Sequence, residues 1–218
     1  MPFLKQISRP VFIAAIALIL TLFVPFSTPA QEKLDRPDMK CITVSMYFPG
    51  TGIQIGSRTL DDLDYLNSDM IRMEFIGEYG NGKPINYTAY DTIVDKLGER
   101  GIKVLGLVDY SSVPYGSDEE WETDAFRNTY VQRLEEIVSH YADRTYPIKH
   151  WEIWNEPDLD VSGEGGPNYR IEPVPYAKLL KESYDAIKAI DPEATVIFGG
   201  ISPKGFEYST NYFRQVYE

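Results

Sequence analysis

The sequence has few of the residues that make disulfides or metal centres. Its 218 residues include one cysteine, Cys41, and two histidines, His140 and His150. A single cysteine excludes an intrachain disulfide. The two histidines are too few and too far apart for a zinc site, and no Cys/His cluster accompanies them. We therefore expect no metal centre, and a fold that rests on its hydrophobic core.

Positive charge is also scarce. The chain has 21 Lys and Arg against 33 Asp and Glu. The first thirty residues hold two of the basic residues, Lys5 and Arg9, and no acidic one, so the remainder has 19 against 33 and a net charge of −14. A charge of this sign argues against nucleic acid or an anionic membrane as a partner. It suits an exported protein that acts on a neutral or cationic substrate.

A long apolar run occurs near the N-terminus. Residues 11–24 are apolar or small except for Thr21, they follow the basic lead, and Ser27-Thr28-Pro29-Ala30 supplies small residues after them. This order is typical of a secretory signal peptide. We expect residues 1–30 to be removed, a mature N-terminus near Gln31, and a secreted or periplasmic protein without stable membrane association. The alternative is a membrane anchor through residues 11–26, although a span usually needs about 20 apolar residues.

The remainder of the chain alternates apolar runs with amphipathic segments and shows no repeat or linker. Five apolar runs predict strands, at residues 42–48, 70–76, 102–108, 148–155 and 195–200. Helical spacing of apolar residues predicts helices at residues 59–66, about 90–97, 123–144, about 176–190, and from about 208 onwards. This pattern therefore predicts that residues 31–218 form one α/β unit.

Five strand–helix alternations predict a parallel sheet covered by helices, either a doubly wound open sheet or a barrel. The doubly wound nucleotide-binding form needs a glycine-rich turn after its first strand. Pro49-Gly50-Thr51-Gly52 supplies only Gly-x-Gly there. Because the residues suited to chemistry lie at the carboxyl ends of strands, we predict a (β/α)8 TIM barrel with about its first five βα units present.

The segment Trp151-Glu152-Ile153-Trp154-Asn155-Glu156-Pro157-Asp158 is the most informative part of the chain. Pro157 removes a backbone donor and disfavours helix before it, so the aromatic strand should stop at Asn155 and Glu156. A carboxylic acid at a strand end, beside an amide and indole rings, suits proton transfer onto a sugar oxygen. The alternative is a solvated or ion-paired glutamate.

This octapeptide resembles the acid/base signature of the clan of retaining glycoside hydrolases on a (β/α)8 barrel, in which Trp-Asn-Glu-Pro closes the fourth strand. The resemblance implies that Glu156 is the general acid/base and that Asn155 contacts the sugar 2-hydroxyl. It also implies that Arg72, on the second strand, orients the nucleophile. Family 39 and family 5 are the nearest within the clan. Family 5 typically ends its third strand in histidine, where this chain has Val108-Asp109-Tyr110.

Side-chain alternation predicts which residues face the barrel interior. On the second strand, Arg72 and Glu74 share one face and Met73 and Phe75 the other. We expect the charged pair to point into the lumen, where Arg72 needs a carboxylate partner. That partner is either a catalytic glutamate or Glu74, in a purely structural pair.

Alternation on the fourth strand places His150, Glu152, Trp154 and Glu156 on the lumen face. We expect His150 to be a hydrogen-bonded barrel residue. Trp154 either floors a sugar subsite by stacking or lies buried beneath the site.

The loop after the third strand is rich in aromatic residues. Asp109, Tyr110, Tyr115 and Trp121 lie there among Ser and Gly. Aromatic side chains at a barrel mouth suit stacking on sugars. We therefore predict that Tyr110 binds substrate, with ordinary loop packing as the alternative.

A retaining glycosidase also needs a second carboxylate as nucleophile, about 5 Å from the acid/base. In the clan this residue ends the seventh strand, so we expect it outside this chain. We expect the chain to be the N-terminal part of a longer enzyme and inactive alone. The implied substrate is a poly- or oligosaccharide, with no metal or organic cofactor. The alternative is a carbohydrate-binding or scaffold protein that keeps the barrel without catalysis.

Overall fold

The computed structural model describes residues 40–44, 47–48, 52–77, 84–114, 118–160 and 169–218. The predicted signal peptide, its cleavage near Gln31, the alternative anchor and Tyr115 all lie outside these residues. Within the described ranges, no helix combines the length and apolar character that crossing a membrane requires.

Strands and helices alternate along the described residues. The strands are β1 (Cys41–Thr43), β2 (Tyr47–Phe48), β3 (Gly52–Ile53), β4 (Met70–Glu74), β5 (Lys103–Val108), β6 (His150–Asn155) and β7 (Thr195–Gly200). The helices are α1 (Ser57–Tyr65), α2 (Tyr87–Gly98), α3 (Asp124–Ala142), α4 (Pro173–Ile190) and α5 (Phe206–Tyr217), with a 3₁₀ turn at Asp118–Glu122.

The main sheet is parallel, and its strand order follows the chain: β1-β4-β5-β6-β7. A doubly wound sheet reverses its order at a switch point. The described strands show no such reversal. Because crossovers between parallel strands share one hand, successive helices cover the same face of the sheet. The fold is therefore α/β and consistent with a partial barrel.

The first strand differs from the prediction. The apolar run at residues 42–48 was expected to be one strand, but β1 ends at Thr43 and β2 pairs antiparallel with β3. Gly52 adopts φ +76°, a left-handed conformation that glycine accepts at low cost. Residues 42–48 contain no glycine or proline that would mark a break between β1 and β2, and the prediction of one strand was wrong.

The helix-covered face of the sheet carries an aromatic core. The Phe75 ring lies 4.7 Å from Tyr90 of α2 and 5.3 Å from Tyr141 of α3, measured between centroids. Trp151 of β6 lies 6.0 Å from Phe75 and is fully buried. The prediction that Phe75 faces the helices is thus confirmed. The predicted apolar stripe of α3 is buried in the same layer, at Phe126, Tyr130, Leu134, Val138 and Tyr141.

Gly106 of β5 makes room for this core. A Cβ at Gly106 would lie 2.6 Å and 2.7 Å from two ring atoms of Trp151 and 3.1 Å from Phe75. Trp151 pairs with Gly106 across the β5–β6 ladder, so both side chains point to the helices. Only a missing side chain leaves space for the indole at this position.

We predict that Gly106→Ala destabilises the protein by about 1–3 kcal/mol, the usual cost of overpacking a core. Urea unfolding measures the difference. The matched control is Gly56→Ala, because Gly56 is exposed and its added Cβ would meet no atom within 4 Å. A Gly106 variant no less stable than the Gly56 variant would show that the core tolerates the added methyl group.

Candidate functional site

Polar side chains gather where β4, β5, β6 and β7 end. Parallel strands bring their carboxyl ends to one edge of a sheet, and barrels carry their sites on that edge. This edge carries the side chains of Arg72, Glu74, Asp109, Glu152, Asn155 and Glu156, and the backbone of Gly200.

An ion pair between β4 and β6 lies at the centre of the cluster. Arg72 Nε donates to Glu152 Oε2 at 2.6 Å, and Arg72 Nη2 donates to Glu152 Oε1 at 2.9 Å. Glu152 Oε1 also accepts the Gly200 amide at 2.7 Å. The hydrogen bond to Glu152 raises the pKa of Arg72, although burial acts in the opposite direction. The partner of Arg72 is therefore Glu152, which is neither of the two expected partners, Glu74 or a catalytic glutamate.

Arg72 also orients Asn155. Its Nη2 donates to Asn155 Oδ1 at 2.8 Å. Arginine has no acceptor, so the oxygen of the amide must face it and the NH2 group must point away. The Asn155 side chain also lowers the pKa of Tyr110, against the larger effect of burial. The amide is thus fixed as a donor at the mouth of the sheet.

Glu156 lies on a tight turn directly after β6. Its φ is +47°, and φ of Trp154 is +72°. Such left-handed conformations cost about 1–3 kcal/mol each in residues other than glycine and cluster at functional sites. The Glu156 amide donates to Gly200 O at 2.9 Å, and the Leu159 amide donates to Glu156 O at 2.9 Å. The half-buried Glu156 therefore extends from a backbone that is held on both sides.

Asp158 clamps the same turn to the end of β7. It is fully buried, and its Oδ1 accepts the Ser202 amide at 2.8 Å. Its Oδ2 accepts the hydroxyls of Ser202 and Ser209, each at 3.0 Å. Sequence analysis did not single out Asp158 as a site residue. Its position in the octapeptide was visible, but its partners lie more than forty residues away and give no local signal.

Trp154 does not face the lumen. It is fully buried against α3, with its ring 6.0 Å from both Phe126 and Tyr130. Its Nε1 donates to Tyr169 O at 3.0 Å. The prediction that Trp154 shares the lumen face with Glu152 was wrong, because its left-handed φ breaks the regular alternation. Of the two alternatives, the structure has burial beneath the site, which leaves no indole face open to a sugar.

Tyr110 belongs to a stack of aromatic rings beside Asn155. Its ring lies 3.9 Å from Tyr169 at an interplanar angle of 16°, and 6.0 Å from Trp121 at 21°. Trp121 is fully buried, whereas Tyr110 and Tyr169 are half-buried. Burial raises the pKa of Tyr110, so its hydroxyl stays neutral at ordinary pH. Tyr169 was missed by the sequence analysis, since the residues before it show no apolar pattern.

Asp109 and Glu74 form a carboxyl pair next to the ion pair. Asp109 is 1% exposed, and its Oδ1 accepts the Ser111 amide at 2.8 Å. Its Oδ2 is buried and has no hydrogen-bond partner among the described residues. Burial, and then the charge of Glu74, raises the pKa of Asp109 well above its ordinary value.

His150 is the first residue of β6 and thus lies at the other end of that strand from Glu156. Burial lowers its pKa. Within the described ranges, no group of three or more His, Cys, Asp or Glu side chains is arranged to hold a metal ion.

Comparison with known proteins gives structural neighbours only. No protein-family model and no curated protein matches the chain. A glucosidase from Croceicoccus marinus matches with a TM-score of 0.53 and 18% identity, over 82% of this chain and 40% of its own. The GH5_18 protein from Streptomyces cattleya, solved in complex with Manβ1-4GlcNAc, matches with a TM-score of 0.51 and 17% identity, over 64% and 37%.

A family 39 glycoside hydrolase from Bacteroides cellulosilyticus is 24% identical over 61% of this chain and 26% of its own, at a TM-score of 0.44 that is too low to support an argument. The chain thus spans between 26% and 40% of the length of these three proteins. At such identities the likeness of the first two shows the fold alone. The described strands and helices form an α/β fold consistent with part of a (β/α)8 barrel.

The carboxyl pair predicts a pH dependence of stability. Because the folded-state pKa of Asp109 is raised, the folded protein keeps a proton that the unfolded chain loses above about pH 4. The stability that this proton provides is therefore complete at low pH and is lost as pH rises through the raised pKa. We predict that the stability of Asp109→Asn, relative to wild type, increases with pH over that window.

Urea midpoints measured at a series of pH values test this prediction. Asp61→Asn is the control, since Asp61 is exposed on α1 and its loss removes one acidic side chain without touching the pair. If wild type and Asp109→Asn keep a constant difference in stability across the series, the pKa of Asp109 is not raised in the folded protein.

Proposed function

We propose that this chain carries the acid/base part of a retaining glycoside hydrolase. Glu156 protonates the glycosidic oxygen of the leaving group and then removes a proton from the attacking water. One observation carries the proposal: a half-buried carboxyl group stands at the carboxyl end of β6, on a left-handed turn, beside an amide that Arg72 orients. The glycosidase-type fold of the structural neighbours supports it.

Asn155 and Arg72 have roles that follow from their contacts. The Asn155 NH2 group faces away from Arg72 and can donate to a sugar hydroxyl, which agrees with a contact to the 2-hydroxyl next to the acid/base. Arg72 uses Nε and Nη2 for Glu152 and Asn155. In the proposed mechanism its charge also orients the nucleophile. Tyr110 and Tyr169 line the mouth as an aromatic surface for the carbohydrate.

The nucleophile must be a further carboxylate about 5 Å from Glu156. Glu152 is held by Arg72 and Gly200, and Glu74 lies on β4, where its charge raises the pKa of the buried Asp109. We propose that neither is the nucleophile and that a strand outside this sequence supplies it. On this view the 218-residue chain alone does not turn over glycosides. We further propose, from the signal-like residues 1–30, that the protein is secreted or periplasmic.

A carbohydrate-binding protein without catalysis is the second candidate. The half-buried rings of Tyr110 and Tyr169, which stack above the buried Trp121, favour it, because an aromatic surface binds sugars whether or not a reaction follows. The two candidates differ in one property. Binding alone depends on the aromatic surface, whereas hydrolysis depends on the carboxyl group of Glu156.

We predict that Glu156→Gln in the full-length protein slows hydrolysis of aryl glycosides with poor leaving groups by about 10²–10⁴-fold. A good leaving group needs little proton donation, so activated aryl glycosides should lose far less. Values of kcat/KM on a graded series of leaving groups measure the effect. Glu193→Gln is the control, since Glu193 is exposed on the turn before β7.

Equal losses across the series would contradict acid catalysis by Glu156. Carbohydrate binding without hydrolysis by the wild-type protein would favour the second candidate.

A further inference from the structure

Two buried tyrosines place their hydroxyls beside β6, at the point where its side chains change face. Tyr130 of α3 and Tyr176 of α4 are both fully buried, and each places its hydroxyl between β6 and a neighbouring strand. They stand on opposite sides of β6, one towards β5 and the other towards β7. Neither takes part in the chemistry proposed above.

Tyr176 bridges β6 and β7. Its hydroxyl donates to Ile153 O at 2.8 Å and accepts the Gly199 amide at 2.9 Å. Ile153 pairs with Phe198, so a regular parallel ladder can join Ile153 O directly to the amide one residue further on, at Gly199. The hydroxyl therefore stands in the place of a ladder hydrogen bond.

Tyr130 binds the end of β5. Its hydroxyl donates to Val108 O at 2.6 Å; burial raises the pKa of this hydroxyl, and the Trp154 backbone acts on it in the opposite direction. Val108 pairs with Ile153, so Trp154 is again the residue one step beyond the pair. Burial raises the pKa of both tyrosines, so both hydroxyls stay neutral and able to donate.

One residue in this part of β6 has a left-handed backbone. Trp154, at φ +72°, turns its indole to α3, and Asn155 then reaches Arg72 on the lumen side. Regular alternation would put Asn155 on the face opposite Glu152. Both nevertheless bind the same guanidinium group. The change of face thus occurs at Trp154, where the Tyr176 hydroxyl replaces a ladder bond to β7 and the Tyr130 hydroxyl binds the last carbonyl group of β5.

Gly199 shows how closely the strands approach here. A Cβ at Gly199 would lie 2.7 Å from both Ile153 O and Trp154 O and 3.1 Å from the Tyr176 hydroxyl. The two carbonyl groups therefore crowd β7, and only glycine fits. This backbone also fixes the position of Glu156, two residues after Trp154, because the Glu156 amide donates to Gly200 O at 2.9 Å.

We propose that Tyr130 and Tyr176 are positioning residues, whose hydroxyls hold the change of face at Trp154 and so set the positions of Asn155 and Glu156. The proposal rests on the proposed function for its catalytic consequence. Neither tyrosine contacts the substrate, because both are fully buried below the site. Their effect passes through the backbone alone.

Tyr176→Phe and Tyr130→Phe in the full-length protein test the proposal, since each removes one oxygen atom and leaves the ring packing intact. A misplacement of about 1 Å costs on the order of 10²-fold in rate. We expect a loss of about 10- to 100-fold in kcat/KM on poor leaving groups and a much smaller loss on activated ones. A mere loss of folded protein would lower both by the same factor.

Tyr141→Phe is the control, because Tyr141 is also fully buried on α3 but packs against Phe75 and Tyr87, away from the two tyrosine hydroxyls. Tyr141→Phe should leave the ratio of kcat/KM on poor and activated leaving groups unchanged. Equal losses on both classes of substrate in the Tyr176 and Tyr130 variants, or the same selective loss in Tyr141→Phe, would overturn the proposal.

A second measurement does not depend on activity. In the isotopically labelled protein, the amide NMR signals of Gly199 and Asn155 should shift in Tyr176→Phe, and those of Trp154 and Asn155 in Tyr130→Phe. Unchanged signals would overturn the positioning role. If these signals shift but the wild-type protein hydrolyses no glycoside, the positioning role of the two tyrosines is supported and the proposed function is wrong.

Discussion

The arrangement of the site depends on the ion pair between Arg72 and Glu152. The two residues come from β4 and β6, which are not neighbours, so the pair crosses over β5. Leu105 and Leu107 of β5 pair with Arg72 and Glu152 and share their face of the sheet. A carboxylate with 4% exposed side chain is tolerable only because the guanidinium group binds it with two hydrogen bonds and the Gly200 amide adds a third.

This pair organises the residues around it. Glu152 fixes the guanidinium group of Arg72, and Arg72 Nη2 also donates to Asn155 Oδ1. The oxygen of the Asn155 amide therefore faces Arg72. Tyr110, whose pKa Asn155 acts to lower, belongs to the aromatic stack beside this polar centre. On the other side, Glu152 binds the β7 backbone at Gly200, and the carbonyl of the same residue holds the Glu156 amide. One charge pair thus sets the amide donor and the turn of the proposed acid.

Much of the fold could be predicted because it depends on local periodicity. Apolar spacing placed β7 at residues 195–200 and α3 within two residues of its ends, and alternation placed Phe75 against the helices. The partner of Arg72 could not be chosen from sequence, because Glu74 and Glu152 share its face and only the tertiary distance decides between them. The face of Trp154 was mispredicted for a related reason. Alternation assumes a regular strand, and the tyrosines that interrupt β6 come from distant helices.

The octapeptide at residues 151–158 is informative because most of it is scaffold. Trp151 fills the space left by Gly106, and Trp154 packs on α3 with its indole nitrogen bonded to Tyr169 O. Asp158 secures the turn through Ser202 and Ser209. Two residues of the segment, Asn155 and Glu156, carry the proposed contacts to substrate. A left-handed backbone at Trp154 and Glu156 is costly, and it persists only where the surroundings over-determine it. The indoles, the buried aspartate and the tyrosine hydroxyls supply that constraint. Most residues of the motif therefore hold the strained backbone in place, and Glu156 supplies the proposed acid.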